Sequence, residues 1–414
     1  MKILFLAPQP FYVERGTPIA VRQVVTALCG AGHEVDLVTF PGGEDIEVAG
    51  LTHIRIARPP GVKKIPVGFS PAKLLCDLFL GVELVKRLGR RRYDVVHAVE
   101  EAVFLALPFR RLARFKLIYD MDSLMSDQLV EKWPGLKRWH RLLFWFESQA
   151  ARGSDLVLAV CPAIGDRIRP HVPADRVRVT PDAATGLEPA SAAVEDLRAT
   201  VGRDGPLALY VGNLEGYQGV GLLIEAVARM TPPPGFTLAV VGGDARSIEA
   251  YQALAEGLGV DDCVRFLGPR PLANLSGYLA QADVLCSPRL KGVNTPMKVY
   301  SYMASGVPVL ATDILSHTQV LDAGCASLAA PEPDAMAAAL GGLLSDPARG
   351  RALAQAARAR VHAEYSLAAF EARLLDAYAW LGRSSGPGTT RQARRADRAA
   401  GVAPRALPTH DEAS

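Results

Sequence analysis

An α/β fold of two doubly wound, Rossmann-like domains facing each other across a cleft is what this sequence predicts, on three observations. Short apolar strand runs alternate with helical patterns along most of the chain, which is the alternation of a parallel sheet. The pattern loosens once, after Pro181, into DAATGLEPASAAVEDLRATVGRDGP, and then begins again. At 414 residues the chain exceeds the usual size of a single core.

In the first half the strand runs are Ile3 to Ala7, Val35 to Phe40, Val95 to Val99, Leu117 to Tyr119 and Leu156 to Val160. The second half has Leu207 to Val211, Leu238 to Val241, Val264 to Leu267, Val284 to Cys286 and Val309 to Ala311, each ending near Gly, Pro, Ser or Thr. The expected division is a first domain over 1–185, a linker over 186–205 and a second domain over 206–362. Two such sheets turn the carboxyl ends of their strands toward one cleft, so function is expected between them. Near the end, Ser366 suits the cap of a helix whose Leu367, Phe370, Leu374, Tyr378 and Leu381 form a packing stripe. Residues 363–382 are expected to pack back on the first domain. Residues 383–414 have few large apolar groups to offset the entropy of ordering and read as a disordered tail.

Composition narrows the function classes. An apolar fraction of 49 %, 21 % charged residues and a formal charge of +3 describe a globular chain with no pull toward nucleic acid. The six cysteines are scattered without a CxxC pair, which argues against a zinc site or a disulfide framework and fits a reducing compartment. The opening MKILFLAPQP reads as a buried strand, too brief for a membrane span, and a cytoplasmic location is expected.

The segment NTPMKVYSYMASG, Asn294 to Gly306, sits between two strand runs and places a helix N-terminus at the carboxyl end of a strand. Asn294 or Thr295 is the expected cap, with Pro296 in the first turn. Such an end carries about half a positive charge and binds phosphate, and Lys298 lies in the first turn with Met297 beside it. An ordinary crossover with Lys298 in solvent is the equal alternative. In the first half, Gly16 and Thr17 of GTPIAV open a helix after a strand and offer backbone N–H groups to a phosphate or an acceptor. Gly212 and Asn213 end a strand of the second half, and Gly219 opens the next helix. Asp120, Asp122 and Ser123 cluster after a buried strand, where carboxylates either bind something or cap a helix. His97 ends a strand before Glu100 and Glu101, as a substrate contact or as a hydrogen-bonded strand-end histidine.

Taken together, FLAPQPFYVERGTPIAVRQVVTALCGAGHEVDLVTF, YDVVHA, YVGNLEGYQGVGLLIEA, SGYLAQADVLCSP and PMKVYSYMASGVPVLATD resemble the retaining glycosyltransferases of family 4, over roughly residues 1 to 382. The resemblance implies a GT-B fold and transfer of a sugar from a nucleotide diphosphate donor to an acceptor hydroxyl, with retention and without an obligatory metal or other cofactor. It also implies a donor on the second domain and an acceptor on the first. The family usually carries Arg and Lys where this chain has Asn213 and Gln218, and Glu where it has Val293 and Ser301. Lys298 and Arg289, with Lys291 behind, are the expected substitutes toward the diphosphate. Ser301 is left to meet the ribose and Asn294 a sugar hydroxyl. Asp122 falls where many relatives hold a histidine near the transferred sugar. The replaced charges also admit a nucleotide-sugar-binding partner subunit without turnover.

Leu136, Trp139, Leu143, Phe146 and Ala150 share a helical face with Lys137, Arg138, His140 and Arg141 nearby. Core packing is one reading of this face. Contact with anionic lipid is the other, together with the basic amphipathic segment Val62 to Arg92, and it would bring a lipid-linked or cell-envelope sugar acceptor.

Overall fold

The computed structural model describes residues 1–13, 16–63, 65–66, 68–184 and 194–384. They form two wholly parallel sheets. The first has seven strands in the order β3-β2-β1-β4-β5-β6-β7. These are β1 Lys2–Pro10, β2 Glu34–Phe40, β3 Leu51–Arg55, β4 Val95–Val99, β5 Lys116–Met121, β6 Leu156–Ala159 and β7 Val177–Val179. The second has six, in the order β10-β9-β8-β11-β12-β13. Its strands are β8 Leu207–Val211, β9 Thr237–Val241, β10 Val264–Gly268, β11 Val284–Ser287, β12 Val309–Thr312 and β13 Ser327–Ala329. The strand order reverses beside β1 in one sheet and beside β8 in the other, and the crevices beyond those two strands are where this architecture takes ligands.

Helices cover both faces of each sheet, so central strands are buried on both sides and read as continuous apolar runs. Every residue of β4 is buried. The strands missing from the sequence reading are β3, β7 and β13, all at sheet edges and short or partly polar.

The C-terminal helix Leu367–Arg383 starts at Ser366, whose side chain accepts from the Ala369 N–H. Its Phe370, Leu374, Ala377, Tyr378 and Leu381 join Ile3, Phe5, Val25 and Leu28 in one core cluster of the first domain. Burial of each large apolar side chain contributes about 1.5–3 kcal/mol, which fastens this helix to the first domain. The strap between the sheets is tied from both sides, since Gln23 donates to the Ala183 carbonyl and the Ala184 N–H donates to the Tyr365 carbonyl. Residue 185, the part of the expected linker over 186–193 and the expected tail from 385 onward lie outside the described residues.

Two amphipathic helices depart from the expected packing. In the helix His140–Gly153 the buried positions are Glu147, Ser148, Ala150 and Ala151, while Leu142, Trp145 and Phe146, with Trp139 just before the helix, stand in solvent. Core packing therefore holds for Ala150 and not for Trp139 or Phe146. Glu147 is buried because it accepts the N–H groups of Met125 and Ser126 and the Ser126 hydroxyl at the start of a neighbouring helix. Helix α2, Pro71–Arg90, buries Cys76, Leu80 and Leu84 and leaves Leu74, Leu78, Val82 and Val85 outside. Among the described residues, no helix is long and apolar enough to cross a membrane.

Candidate active site

The second-domain wall begins where β8 ends. Gly212 has a φ of +154°, and a β-carbon there would stand 2.6 Å from Nζ of Lys298. The lysine passes directly over this glycine. Its Nζ donates to the Tyr210 hydroxyl at 2.8 Å and to Oε1 of Gln218 at 3.0 Å, and lies 4.0 Å from the centre of the Tyr210 ring. Burial, and after it the charge of Arg289, bring the Lys298 pKa down to about 7. Tyr210 in turn donates to the Asn213 carbonyl at 2.6 Å, which fixes the turn. Gly219 has a φ of +75°, and a β-carbon there would meet the Pro288 carbonyl at 1.9 Å, so the turn that presents Gln218 needs glycine.

The helix carrying Lys298 runs over Met297–Ser305 and closes at Gly306 in the left-handed region. Its cap position is Pro296, in extended conformation and with no side-chain cap bond. This corrects the expected cap at Asn294 or Thr295 with Pro296 in the first turn. Oδ1 of Asn294 instead accepts from Nη2 of Arg289 at 3.1 Å, and Thr295 is buried. The helix thus reaches the cleft with its N-terminus uncapped by a side chain, which leaves its positive end for an anion. Ser301 lies inside the domain, so its burial does not suit the expected meeting with a ribose.

Arg289 differs from the open diphosphate ligand expected. It is 7 % exposed, and its guanidinium binds the carbonyls of Lys291 and Asn294 and stacks 5.3 Å from the Tyr217 ring. Its donors hold their own loop, and its charge acts through the electrostatic field. Lys291 reaches across to Glu131 of the first domain at 2.6 Å.

On the facing wall, α1 (Gly16–Gly30) starts just beyond β1. Thr17 hydrogen-bonds Asp122, which lies one residue past β5. Burial raises the Asp122 pKa well above the carboxylate range, with Asp120, Glu100 and Asp182 adding to the rise and Thr17 opposing it. Asp120 accepts from Nε2 of His97 at 2.9 Å, and Nδ1 of His97 lies 2.7 Å from the Tyr378 hydroxyl. His97 is 0 % exposed with both nitrogens engaged, so it meets the cleft only through Asp120. Glu100 holds a left-handed φ of 47°, costly for a non-glycine residue, while its carboxylate accepts from Ser123 at 2.8 Å. Asp182, on the strap, is pushed up to about 7 by burial and by Asp120.

The walls touch elsewhere as well. A β-carbon on Gly16 would stand 3.7 Å from Sδ of Met297. Gln319 accepts from the Ala163 N–H at 2.8 Å and donates to the Val293 carbonyl at 2.7 Å. Two helix N-termini, one from each domain, therefore face one crevice with a lysine on one side and carboxylates on the other. Such a crevice can hold an anionic leaving group against a hydroxyl-bearing partner. A recess of about 420 Å³, lined by Leu214, Asp244, Arg246, Ser247, Ala250 and Tyr251, opens beside the Gly212 turn.

Sequence reasoning passed over Asp182, Tyr210, Tyr378 and Gln319. Asp182 had a signal, a carboxylate just past a strand in the manner of Asp122. Tyr378 had none, because a tyrosine within an apolar stripe looks like core.

Comparison with known proteins agrees with this architecture. The family described as glycosyl transferases group 1 matches residues 205–346, and glycosyltransferase family 4 matches residues 15–183. The phosphatidyl-myo-inositol mannosyltransferase of Mycolicibacterium smegmatis is 26 % identical over 390 residues, covering 91 % of this chain and 93 % of that protein. Among solved structures, sucrose-phosphate synthase from Thermosynechococcus elongatus aligns with a TM-score of 0.77 at 23 % identity, over 93 % of this chain and 100 % of that one. Anabaena HepE in complex with UDP aligns with a TM-score of 0.72 at 18 % identity, over 92 % and 100 %. These two likenesses concern the fold, and the family matches take in one sheet each. With both halves matched in order around a shared cleft, the chain belongs to the family 4 glycosyltransferases of GT-B fold.

Proposed function

We propose that this glycosyltransferase moves a sugar, with retention of anomeric configuration, from a nucleotide diphosphate donor to the hydroxyl of a sugar or lipid-linked acceptor at the inner face of a membrane. The product would be a glycolipid or an envelope polysaccharide. The observation that carries this reading is Lys298, lodged over Gly212 between Tyr210 and Gln218 at a helix N-terminus that no side chain caps. A diphosphate seated there would be met by one ammonium, by main-chain N–H groups and by the field of Arg289, with no metal obligatory. Its nucleoside end would have room in the recess beside Leu214, which adjoins the same turn.

On the opposite wall, Asp120 and Asp122 have environments that separate their roles. Asp120 accepts a hydrogen bond from His97, whereas burial biases Asp122 toward its protonated form. Asp120 would accept from the attacking hydroxyl and Asp122 would orient the sugar. The leaving phosphate would take the hydroxyl proton on the same face, which is the route to retention that the family resemblance implies.

Two surfaces support docking to anionic lipid. On α2, Leu74, Leu78, Val82 and Val85 follow helical spacing on one exposed face, Leu74 at 72 % exposure. Lys86 lines a groove beside that face, and Arg87 and Arg90 occupy the last turn. The second is Trp139, Leu142, Trp145 and Phe146, with Trp145 at 52 %. Similarity to a phosphatidylinositol mannosyltransferase supports a lipid-linked acceptor.

The test is a single-turnover assay of the full chain with UDP, GDP, ADP and dTDP sugars and a lipid extract as acceptor, with product anomers assigned by NMR. Transfer with retention that Asp122→Ala abolishes is expected. Nucleotide binding without any turnover, or an inverted product, would overturn the reading.

A further inference from the structure

The helix Leu367–Arg383 is linked to the cleft through the hydroxyl of Tyr378. Tyr378 lies in the core of the first domain, 281 positions from His97 in sequence, and its phenol meets Nδ1 of that histidine at 2.7 Å. The other ring nitrogen meets Oδ2 of Asp120 at 2.9 Å. A carboxylate only accepts, so the Nε2 position carries the hydrogen and, in the neutral ring, Nδ1 is an acceptor. Tyr378 is the donor it requires. Burial, and after it the charge of Asp120, raise the Tyr378 pKa, so the phenol keeps its proton through the working range.

The ring cannot turn away. Phe5 is register partner to His97 across β1 and β4, and the two rings stack 4.2 Å apart. Val99 pairs with Asp120 in the next strand, which places the carboxylate beside the ring edge. The helix is held in turn, since Lys116 donates to the carbonyls of Leu381 and Ser384 and Arg178 stacks 5.3 Å from the Trp380 ring.

We infer that Tyr378 is a positioning residue for glycosyl transfer: through His97 it fixes the direction and charge-assisted hydrogen bond of the Asp120 carboxylate, so that the C-terminal helix completes the active site. The role of Asp120 toward the acceptor rests on the function proposed above. The geometry of the Tyr378, His97 and Asp120 chain does not. Loss of the phenol leaves Nδ1 buried without a donor while Nε2 keeps its hydrogen toward Asp120, so the ring is tied at one end only and aims the Asp120 side chain less firmly.

The test combines ¹⁵N-histidine NMR of the full chain with kinetics of Tyr378→Phe, Asp120→Asn and the double variant. His97 is assigned by its loss in His97→Gln. In the wild type we expect the hydrogen on Nε2 and a hydrogen-bonded Nδ1, and in Tyr378→Phe a displaced Nδ1 resonance as that bond is lost, with Nε2 still protonated. Asp120→Asn should perturb the same resonances from the opposite end. The kcat of Tyr378→Phe should fall by about 10-fold with the donor KM unchanged, and the double variant should be no slower than Asp120→Asn. A ring protonated at Nδ1 in the wild type would overturn the inference, as would a Tyr378→Phe variant that loses melting temperature and keeps its kcat. If the wild type transfers no sugar at all, the proposed function falls while the tautomer measurement still decides the relay.

Discussion

Nζ of Lys298 donates to Oε1 of Gln218 at 3.0 Å, and this bond links two changes of charge in one site. The family resemblance implies a lysine at the position of Gln218, and in this structure a cation reaches that side chain from the helix Met297–Ser305. The neutral amide is left to aim it. A cation delivered this way lies over the Tyr210 ring, inside the domain and near Arg289, so water solvates it poorly and its charge is easily lost.

Donor binding should therefore depend on pH. With the Lys298 pKa lowered to about 7, the free protein carries the ammonium below that pH and loses it above. A diphosphate favours the charged form and draws the pKa back up, so binding above pH 7 takes up a proton. Calorimetry with UDP and GDP should find weaker binding at pH 8.5 than at pH 6, with proton uptake visible as a dependence on buffer ionisation enthalpy. Lys298→Ala should lose about 10-fold or more at pH 6, the size of one charge-assisted hydrogen bond, and should lose most of the pH dependence. Affinity of the wild type that is flat across this range would contradict the assignment.

Much of this site was legible because of where its residues lie along the chain. Gly16, Thr17, Asp122, Gly212 and Gln218 all follow the carboxyl ends of strands, and a sequence reports strand ends through the break in an apolar run. Pairings across the fold leave no such mark. Nothing local in Tyr378 points to His97, and nothing in Gly16 points to Met297. Arg289 looks in sequence like any loop cation, and only the fold shows its donors spent on Lys291 and Asn294. The stripe of Trp139 and Phe146 is equally silent on direction, since helical spacing defines a face and not what covers it.

Gly219 makes a sharp prediction because two glycines of the same turn differ. A β-carbon on Gly219 would collide with the Pro288 carbonyl in a left-handed conformation, whereas one on Gly216 would meet nothing within 4 Å. Gly219→Ala should cost about 2 kcal/mol or more, and because the turn carries Gln218 it should weaken nucleotide diphosphate binding as well. Gly216→Ala should leave both close to wild type. Thermal melts and calorimetry on the pair check this, and equal behaviour of the two variants would count against the described turn.

Asp182 should set a pH dependence of stability. Its folded pKa is raised to about 7 from an ordinary 3.8, so its contribution is fully present below the unfolded pKa and is lost as pH rises through the folded one. Asp182→Asn removes the buried charge. The variant should match wild type near pH 4 and gain on it up to about pH 7, with a ceiling of about 4 kcal/mol set by the distance between the two pKa values. Denaturant unfolding at pH 4, 5.5 and 7.5 gives the comparison, and a stability difference that does not change over this interval would show that Asp182 titrates normally.

The exposed apolar faces are testable without disturbing the core, because the residues concerned do not belong to it. Leu78 and Val82 on α2 stand in solvent, and so does Trp145 on the helix His140–Gly153. Insertion of one such side chain into the lipid interface is worth about 1.5–3 kcal/mol, and a carboxylate in its place adds repulsion from anionic headgroups. Leu78→Glu with Val82→Glu should thus cut co-sedimentation with phosphatidylglycerol vesicles by about 10-fold or more at unchanged melting temperature. Trp145→Glu should show whether the second face shares the contact. Raising salt should weaken wild-type binding without abolishing it, since the basic side chains are screened and the apolar ones are not. Full retention of vesicle binding in the triple variant, or no binding by the wild type at low salt, would remove these faces from the membrane.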